Sequence, residues 1–182
     1  MNILKIDKPI LVNNILHSYD NLNLVDYLIT NGSFKIACDD TTKKMEFESA
    51  MLNETQHSGF LFAPKNKDNN AHIFSSPLTT YGFVITNQIA KILGFTYKEI
   101  TRITYNYYCR DQFAQEHKDS ENDNDISIIY NPFTTDGGSV ILGEKYQDIA
   151  SQAKIFKSNW LHNSWSIVKD KARVSLNIVI KI

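Results

Sequence analysis

Apolar residues recur at helical spacing in two stretches of the first half of the chain. The first stretch predicts a helix from about Asn21 to Ile29, and the following pair, Asn31-Gly32, is typical of a helix end. The second predicts a helix within Thr80 to Leu93, which Gly94 ends. The two apolar stripes consist of Leu22, Val25, Leu28 and Ile29 and of Ile85, Ile89, Ile92 and Leu93.

Alternation of apolar and polar residues predicts strands around these helices. In the first half, strands are predicted around Pro9 to Val12 and at "SFKIAC" (residues 33–38), whereas "PKNKDNN" (64–70) is typical of a surface loop. After Glu99, β-rich runs follow one another without a long helical pattern: "ITRITYNYYC", "ISIIY", "GSVILG", "AKIFK" and "ARVSLNIVIKI". This spacing predicts an α+β fold, mainly β, with an antiparallel sandwich or barrel and the N-terminal helices packed on one sheet.

The last run has one apolar and one polar face. Val174, Leu176, Ile178 and Ile180 alternate with polar residues that begin as Arg173, Ser175 and Asn177. Two interpretations of the polar face stay open. It meets water, as is common for antiparallel sheets, or it lines a cavity and binds an anion, since the planar fork of an arginine can hold a carboxylate at two points.

The composition is that of a soluble globular protein. Of the 182 residues, 42% are hydrophobic and 21% are charged, and the formal net charge is -1, which does not favour a nucleic-acid substrate. We expect a single domain over residues 1–182. The N-terminus lacks the apolar core of a signal peptide and no apolar run is long enough to span a bilayer, so we expect a cytoplasmic protein in which Cys38 and Cys109 are reduced.

One short pair of residues is a candidate for metal chemistry. In "EHKDSEND", His117 and Asp119 are two residues apart, so on an extended segment both side chains can approach the same ion. The alternative is a polar loop. A calcium-binding loop is excluded, because Asn124 replaces the required glycine and Tyr130 stands where the bidentate glutamate is needed.

Residues further along place this pair in an ordered series. His117-x-Asp119 is followed by His162 and then by Arg173-x-Ser175, and this order resembles the 2-oxoglutarate and Fe(II)-dependent oxygenases, particularly their short prolyl-hydroxylase-like branch. The segments "RITYNYY", "IIYNPF" and "DGGSVIL" are also similar to family segments, as is the N-terminal "PILVNNIL" more loosely. Asn131-Pro132 departs from the common pattern, because proline ends a strand early.

The resemblance implies a fold and a metal site. The fold is a double-stranded β-helix, similar to a jelly roll or cupin, in which residues 100–182 form the catalytic β core and residues 1–99 support it. His117, Asp119 and His162 are the implied catalytic residues and Fe(II) ligands, a set of two imidazoles and one carboxylate that leaves three coordination positions open.

The resemblance also implies the cosubstrates and the site that holds one of them. Fe(II), 2-oxoglutarate and O2 take part, a C–H bond is hydroxylated, and succinate and CO2 are released. The distal carboxylate of 2-oxoglutarate pairs with Arg173 and Ser175. Tyr107 is the tyrosine predicted to reach the cosubstrate, with Tyr105 and Tyr108 as alternatives, because a bulge would change which side chain points inward.

The resemblance suggests two substrate classes, and two other functions remain as alternatives. By resemblance, the substrate is a protein or peptide side chain, or else a small metabolite. One rival is a cupin-like barrel that binds a different metal or none, and another is a non-enzymatic barrel protein. The sequence predicts no membrane partner and makes no prediction of oligomeric state.

Overall fold

A computed structural model describes residues 4–31, 57–62, 77–110, 112–170 and 172–182. Within these ranges the chain forms two helices and nine strands. The helices are α1 (Ser18–Asn31) and α2 (Pro77–Leu93). The strands are β1 (Ile10–Val12), β2 (His57–Phe62), β3 (Glu99–Cys109), β4 (Asp125–Asn131), β5 (Gly138–Ile141), β6 (Glu144–Gln147), β7 (Gln152–Lys157), β8 (His162–Trp165) and β9 (Ala172–Lys181).

The strands form two antiparallel sheets. The larger sheet has the order β1-β7-β4-β9-β3-β2, and the smaller has the order β6-β5-β8. The pairing of β3 with β9 is the most extensive, with Tyr108 opposite Arg173 and Asn106 opposite Ser175. From β7 onward, consecutive strands alternate between the sheets, because β7 and β9 belong to the larger sheet and β8 to the smaller one.

The outer face of the larger sheet packs against the helices. Because side chains alternate along a strand, Leu176 and Ile178 of β9 lie on this face and join one buried cluster with Leu24 of α1 and Ile85 of α2. Gly82 allows the close approach of α2, since a Cβ there would lie 2.8 Å from Cδ1 of Ile103. The prediction that N-terminal helices pack on one sheet is thus confirmed.

The inner face of the larger sheet is polar and buried. Arg173, Ser175 and Asn177 are 2%, 3% and 7% exposed, although all three are polar. Their face lies toward the smaller sheet, where Arg173 approaches Ser139 of β5. The interpretation in which this face meets water is wrong, because the second sheet covers it.

Most predicted elements are present, with shifted ends. Both helices begin about three residues earlier than predicted, and α2 ends before Gly94, whose φ is +68°. Pro132 ends β4 at Asn131, as expected. His162 begins the separate strand β8, and β2, β6 and β8 were not predicted.

The remaining predictions concern the two cysteines, a strand and a loop in the first half of the chain, and membrane spans. Cys109 is a free, half-buried thiol. Cys38, the strand predicted at 33–38 and the loop predicted at 64–70 lie outside the described residues. Neither helix in the described part of the chain has the length and hydropathy that a membrane span requires.

Candidate functional site

His117, Asp119 and His162 come together between the two sheets. Each offers one ligand atom, and these three atoms lie within 4.8 Å of one another. Nε2 of His117 is 3.8 Å from Oδ1 of Asp119, and Nε2 of His162 is 3.5 Å from Oδ2. The sequence separates the histidines by 45 positions, so only the fold makes them neighbours.

Backbone pairing fixes the positions of these residues. His117 and His162 form an isolated antiparallel bridge, with the two N–H···O bonds at 2.9 and 3.0 Å. The amide of Asp119 donates to the carbonyl oxygen of Ser158 at 2.9 Å. Since β8 is itself paired with β5, at Ile141 opposite His162, the site is tied to the smaller sheet by main-chain bonds.

The histidine rings are held in one tautomer. Nδ1 of His117 lies 2.7 Å from the carbonyl oxygen of Gln115, and Nδ1 of His162 lies 3.0 Å from that of Trp160. A carbonyl oxygen can only accept, so each Nδ1 carries a proton and each Nε2 is the ring nitrogen on the side of Asp119. Metal-binding histidines are oriented by this same kind of bond through the second ring nitrogen.

Asp119 is the most constrained of the three. The hydroxyl of Ser127 donates to Oδ2 at 2.6 Å, the amide of Asn177 donates to both oxygens at 3.2 and 3.3 Å, and the guanidinium of Arg102 contacts Oδ1. Burial by itself would raise the pKa of this carboxyl, but Arg102 and His162 outweigh it, so the pKa is lowered. Asp119 is therefore an ionised, oriented carboxylate.

His162 is suited to bind a cation in its neutral form. Burial lowers its pKa and the charge of Asp119 opposes this effect only in part. Its Nε2 is buried and has no hydrogen-bond partner among the described residues. Two imidazole nitrogens and one carboxylate oxygen match the donor set of a mononuclear non-haem Fe(II) site, so the residues present fit this metal.

Arg173 lies in a separate polar pocket further along the inner face. Its Nε and Nη2 contact the carboxylate of Asp148, with the Nη2–Oδ1 distance 3.4 Å, and Nη2 lies 3.4 Å from the hydroxyl of Ser139. The guanidinium also lies 4.8 Å from the centroid of the Tyr108 ring, which covers it. The carboxylate of Asp148 and the guanidinium of Arg173 thus form a buried ion pair.

The three tyrosines lie on two different faces of the larger sheet. Tyr107 and Tyr105 pack with the cluster on the helix-facing side of the larger sheet. Tyr108 is on the opposite face, in register with Arg173. Ser175 lies on the same inner face as Arg173, 3% exposed. No bulge interrupts the register between Tyr105 and Tyr108, so of these three tyrosines Tyr108 is the one beside Arg173.

Sequence reasoning missed several residues of the site. Arg102 shares the inner face of β3 with Tyr108, and period-2 alternation back from Tyr108 could have found it. No comparable alternation in the sequence pointed to Asp148 or Lys154. Asp148 follows the unpredicted strand β6, and Lys154 stands in an apolar run where a lysine on the interior face is uncommon.

Comparisons with known proteins give a structural likeness without a sequence match. No protein-family model and no curated protein sequence matches the chain. A prolyl-4-hydroxylase from Pseudomonas putida matches with a TM-score of 0.64 at 13% identity, over 96% of this chain and 92% of that one. A prolyl hydroxylase from Trichoplax adhaerens, in complex with a hypoxia-inducible-factor peptide fragment, matches with a TM-score of 0.65 at 12% identity, over 97% and 84%.

A third solved structure broadens the comparison. The epimerase SnoN, in complex with Fe3+, alpha-ketoglutarate and nogalamycin RO, matches with a TM-score of 0.61 at 8% identity, over 95% of this chain and 78% of that one. At these identities the likeness shows the fold. The chain has the α+β, mainly β, double-stranded β-helix fold of the 2-oxoglutarate and Fe(II)-dependent oxygenases, which confirms the predicted fold class.

Proposed function

We propose that the chain is a single-domain Fe(II)- and 2-oxoglutarate-dependent dioxygenase that hydroxylates a C–H bond and releases succinate and CO2. The observation that carries this proposal is the convergence of His117, Asp119 and His162 within one fold that oxygenases share. The buried guanidinium of Arg173, on the inner face of β9, also supports the proposal, because it can pair with a carboxylate of 2-oxoglutarate.

His117, Asp119 and His162 would hold the iron. Bound there, Fe(II) with 2-oxoglutarate supplies the chemistry that activates dioxygen for attack on a C–H bond. The protein contributes an oriented, ionised Asp119 and two imidazoles whose Nε2 atoms lie on its side. The lowered pKa values of Asp119 and His162 reduce the cost of binding a dication, since they favour the deprotonated forms that bind metal.

Arg173 and Tyr108 would receive the distal carboxylate of the cosubstrate, with Ser175 beside them on β9. The guanidinium is buried on the same inner face as Asn177, which contacts Asp119. A dicarboxylate bound by Arg173 therefore extends along β9 toward the metal residues. The pocket excludes water from this end, because Arg173 is 2% exposed.

The substrate would approach from the side of His117. Its side chain is 44% exposed, whereas those of Asp119 and His162 are 1% and 3% exposed. Among the three metal residues, His117 is thus the one that borders solvent. A protein or peptide side chain is our leading substrate class, as in the Trichoplax complex, and a small molecule is the second, as in the SnoN complex.

Binding and turnover of ligand variants test the proposal. His117→Ala, Asp119→Ala and His162→Ala should each weaken Mn(II) binding by about tenfold or more and abolish iron-dependent succinate formation, because each removes one of three donors. Calorimetry with Mn(II) and a succinate assay with 2-oxoglutarate measure the two effects. Lys118→Ala is the matched control, since Lys118 lies between two ligands but pairs with Glu121 at the surface.

The same measurements separate the rival functions. A protein that binds Mn(II) through the triad but has no affinity for 2-oxoglutarate would be a cupin-like metal protein. One that binds neither would be a barrel without this chemistry. Full activity in all three alanine variants would contradict the assignment of the metal residues.

A further inference from the structure

Three adjacent strands and one loop build a buried polar cluster around Arg173. Lys154 of β7 and Arg173 of β9 both contact Asp148, which lies between β6 and β7, and Asn131 of β4 contacts Lys154. Nζ of Lys154 donates to Oδ1 of Asp148 at 2.6 Å and to Oδ1 of Asn131 at 2.7 Å. Lys154 and Asp148 are fully buried, so these contacts are made out of solvent.

The cluster has more positive than negative charge. Two cations, Lys154 and Arg173, share one carboxylate, which leaves a net charge of about +1 in the interior when all three groups are ionised. An uncompensated buried charge is costly. An anion with one negative charge would balance the site, and this is the charge of the distal carboxylate of 2-oxoglutarate.

Two hydrogen-bond donors in the same cluster also lack acceptors. Nη1 of Arg173 and Nδ2 of Asn131 are buried, and neither has a partner among the described residues. Both atoms can only donate. The missing group is therefore an acceptor, in agreement with the charge balance, and a carboxylate offers two acceptor oxygens.

We propose that Lys154 is a second cation of the cosubstrate site, and that Asp148 holds Lys154 and Arg173 together so that both bind the distal carboxylate of 2-oxoglutarate. Asp148 occupies Nε and Nη2 of the guanidinium and leaves Nη1 for the ligand. Asn131 adds a neutral donor. This inference rests on the proposed function, because the ligand is the cosubstrate of that reaction.

A substitution that removes the ammonium group of Lys154 tests the proposal. Lys154→Met keeps an unbranched side chain, and Lys157→Met makes the same change on the same strand at a partly exposed position of the opposite face. The ligands are 2-oxoglutarate and 2-oxopentanoate, which has the same chain length but a methyl group in place of the distal carboxylate. Calorimetry on anaerobic, Mn(II)-loaded protein gives each Kd.

We expect Lys154→Met to weaken 2-oxoglutarate binding by about tenfold or more, in the range of a charge-assisted hydrogen bond, and to leave 2-oxopentanoate binding within about threefold. Mn(II) affinity should stay at the wild-type value. Lys157→Met should bind both ligands like the wild type. A role that only supports the fold would instead weaken both 2-oxo acids equally.

A double variant tests the charge balance itself. Asp148→Asn with Lys154→Met returns the cluster to a net charge of about +1, so it should bind 2-oxoglutarate more tightly than Lys154→Met alone. If Lys154→Met does not fold, the double variant takes its place, and its preference for 2-oxoglutarate over 2-oxopentanoate should lie below that of the wild type. An unchanged preference would overturn the inference.

The outcomes distinguish the two proposals. A wild-type protein that binds 2-oxoglutarate, together with a Lys154→Met variant that binds it equally well, overturns the role of Lys154 and leaves the oxygenase proposal standing. A Mn(II)-loaded wild type without affinity for 2-oxoglutarate overturns both.

Discussion

Tyr107 and Tyr108 are neighbours in β3 but lie on opposite faces of the sheet. Tyr108 covers the guanidinium of Arg173, and hydrogen bonds to Ser164 and Arg173 partly oppose the rise that burial causes in its pKa. Tyr107 packs on the helix-facing side, near Cys109. Which of the two tyrosines faces Arg173 depends on the alternation of side chains along β3, and one inserted residue would exchange their faces.

Tyr108→Phe should weaken 2-oxoglutarate binding by about fivefold, because it removes one hydroxyl from the pocket of Arg173. Tyr107→Phe, the matched change on the other face, should leave the Kd unchanged. Calorimetry on Mn(II)-loaded protein compares the two variants. A larger loss in Tyr107→Phe than in Tyr108→Phe would return the choice to Tyr107.

The loop between β8 and β9 is held by one carboxylate. Asp136 accepts hydrogen bonds from the amides of Val168 at 3.1 Å, Lys169 at 2.7 Å and Asp170 at 3.3 Å. In return, the amide of Asp136 donates to Asp170 at 2.8 Å. This loop leads directly into Arg173, so Asp136 fixes the start of β9 from the segment before β5.

The three amide bonds should make the stability of this loop depend on pH. The bond from Lys169, with those from Val168 and Asp170, lowers the pKa of Asp136 to about 2 from 3.8. A depressed folded-state pKa stabilises the fold above pH 3.8, and this contribution is lost as the pH falls toward 2. Denaturant unfolding measured between pH 5 and pH 2 should therefore lose less stability in Asp136→Asn than in the wild type.

Asp7→Asn is the control for this prediction, since Asp7 is exposed before β1. It should leave the pH dependence of unfolding as in the wild type. Equal slopes for Asp136→Asn and the wild type over this range would show that the loop bonds do not couple to protonation.

The candidate site joins side chains from three parts of the molecule. His162 belongs to the smaller sheet, Arg173 to the larger sheet, and His117 and Asp119 to the segment between β3 and β4. A metal and a cosubstrate bound together would therefore link both sheets through one network. Ligand binding to the folded state alone raises the stability of the whole domain.

Mn(II) should raise the Tm, and 2-oxoglutarate should raise it further only when Mn(II) is present. At ligand concentrations about 100 times Kd, the expected gain is about 2.7 kcal/mol for each ligand. Differential scanning calorimetry of the same sample with and without a chelator measures the shift. Asp119→Ala should show neither increase, and an equal shift in that variant would place the metal elsewhere.

Much of the fold could be predicted from the sequence, because it depends on periodicity. The two helices and the alternation of β9 follow from the order of residues, and the structure confirms these elements. The predicted stripes are right only in part, because Leu28, Ile85 and Ile89 are buried whereas Leu22, Ile29 and Ile92 are exposed. The strands β6 and β8 were missed because their sequences, EKYQ and HNSW, carry almost no apolar alternation, whereas the equally short β5 lies in the apolar run GSVILG.

The sequence by itself determined which residue types are present and in what order: two histidines and an aspartate, followed by an arginine on a strand with one apolar face. Their roles as metal and cosubstrate ligands stay predictions. The tertiary structure decided which side chains share the interior, since that depends on how nonadjacent strands pair. It placed Tyr108 beside Arg173 and connected Arg173 with Lys154 through Asp148. No local pattern specifies such contacts, because each joins segments that meet only when the two sheets close.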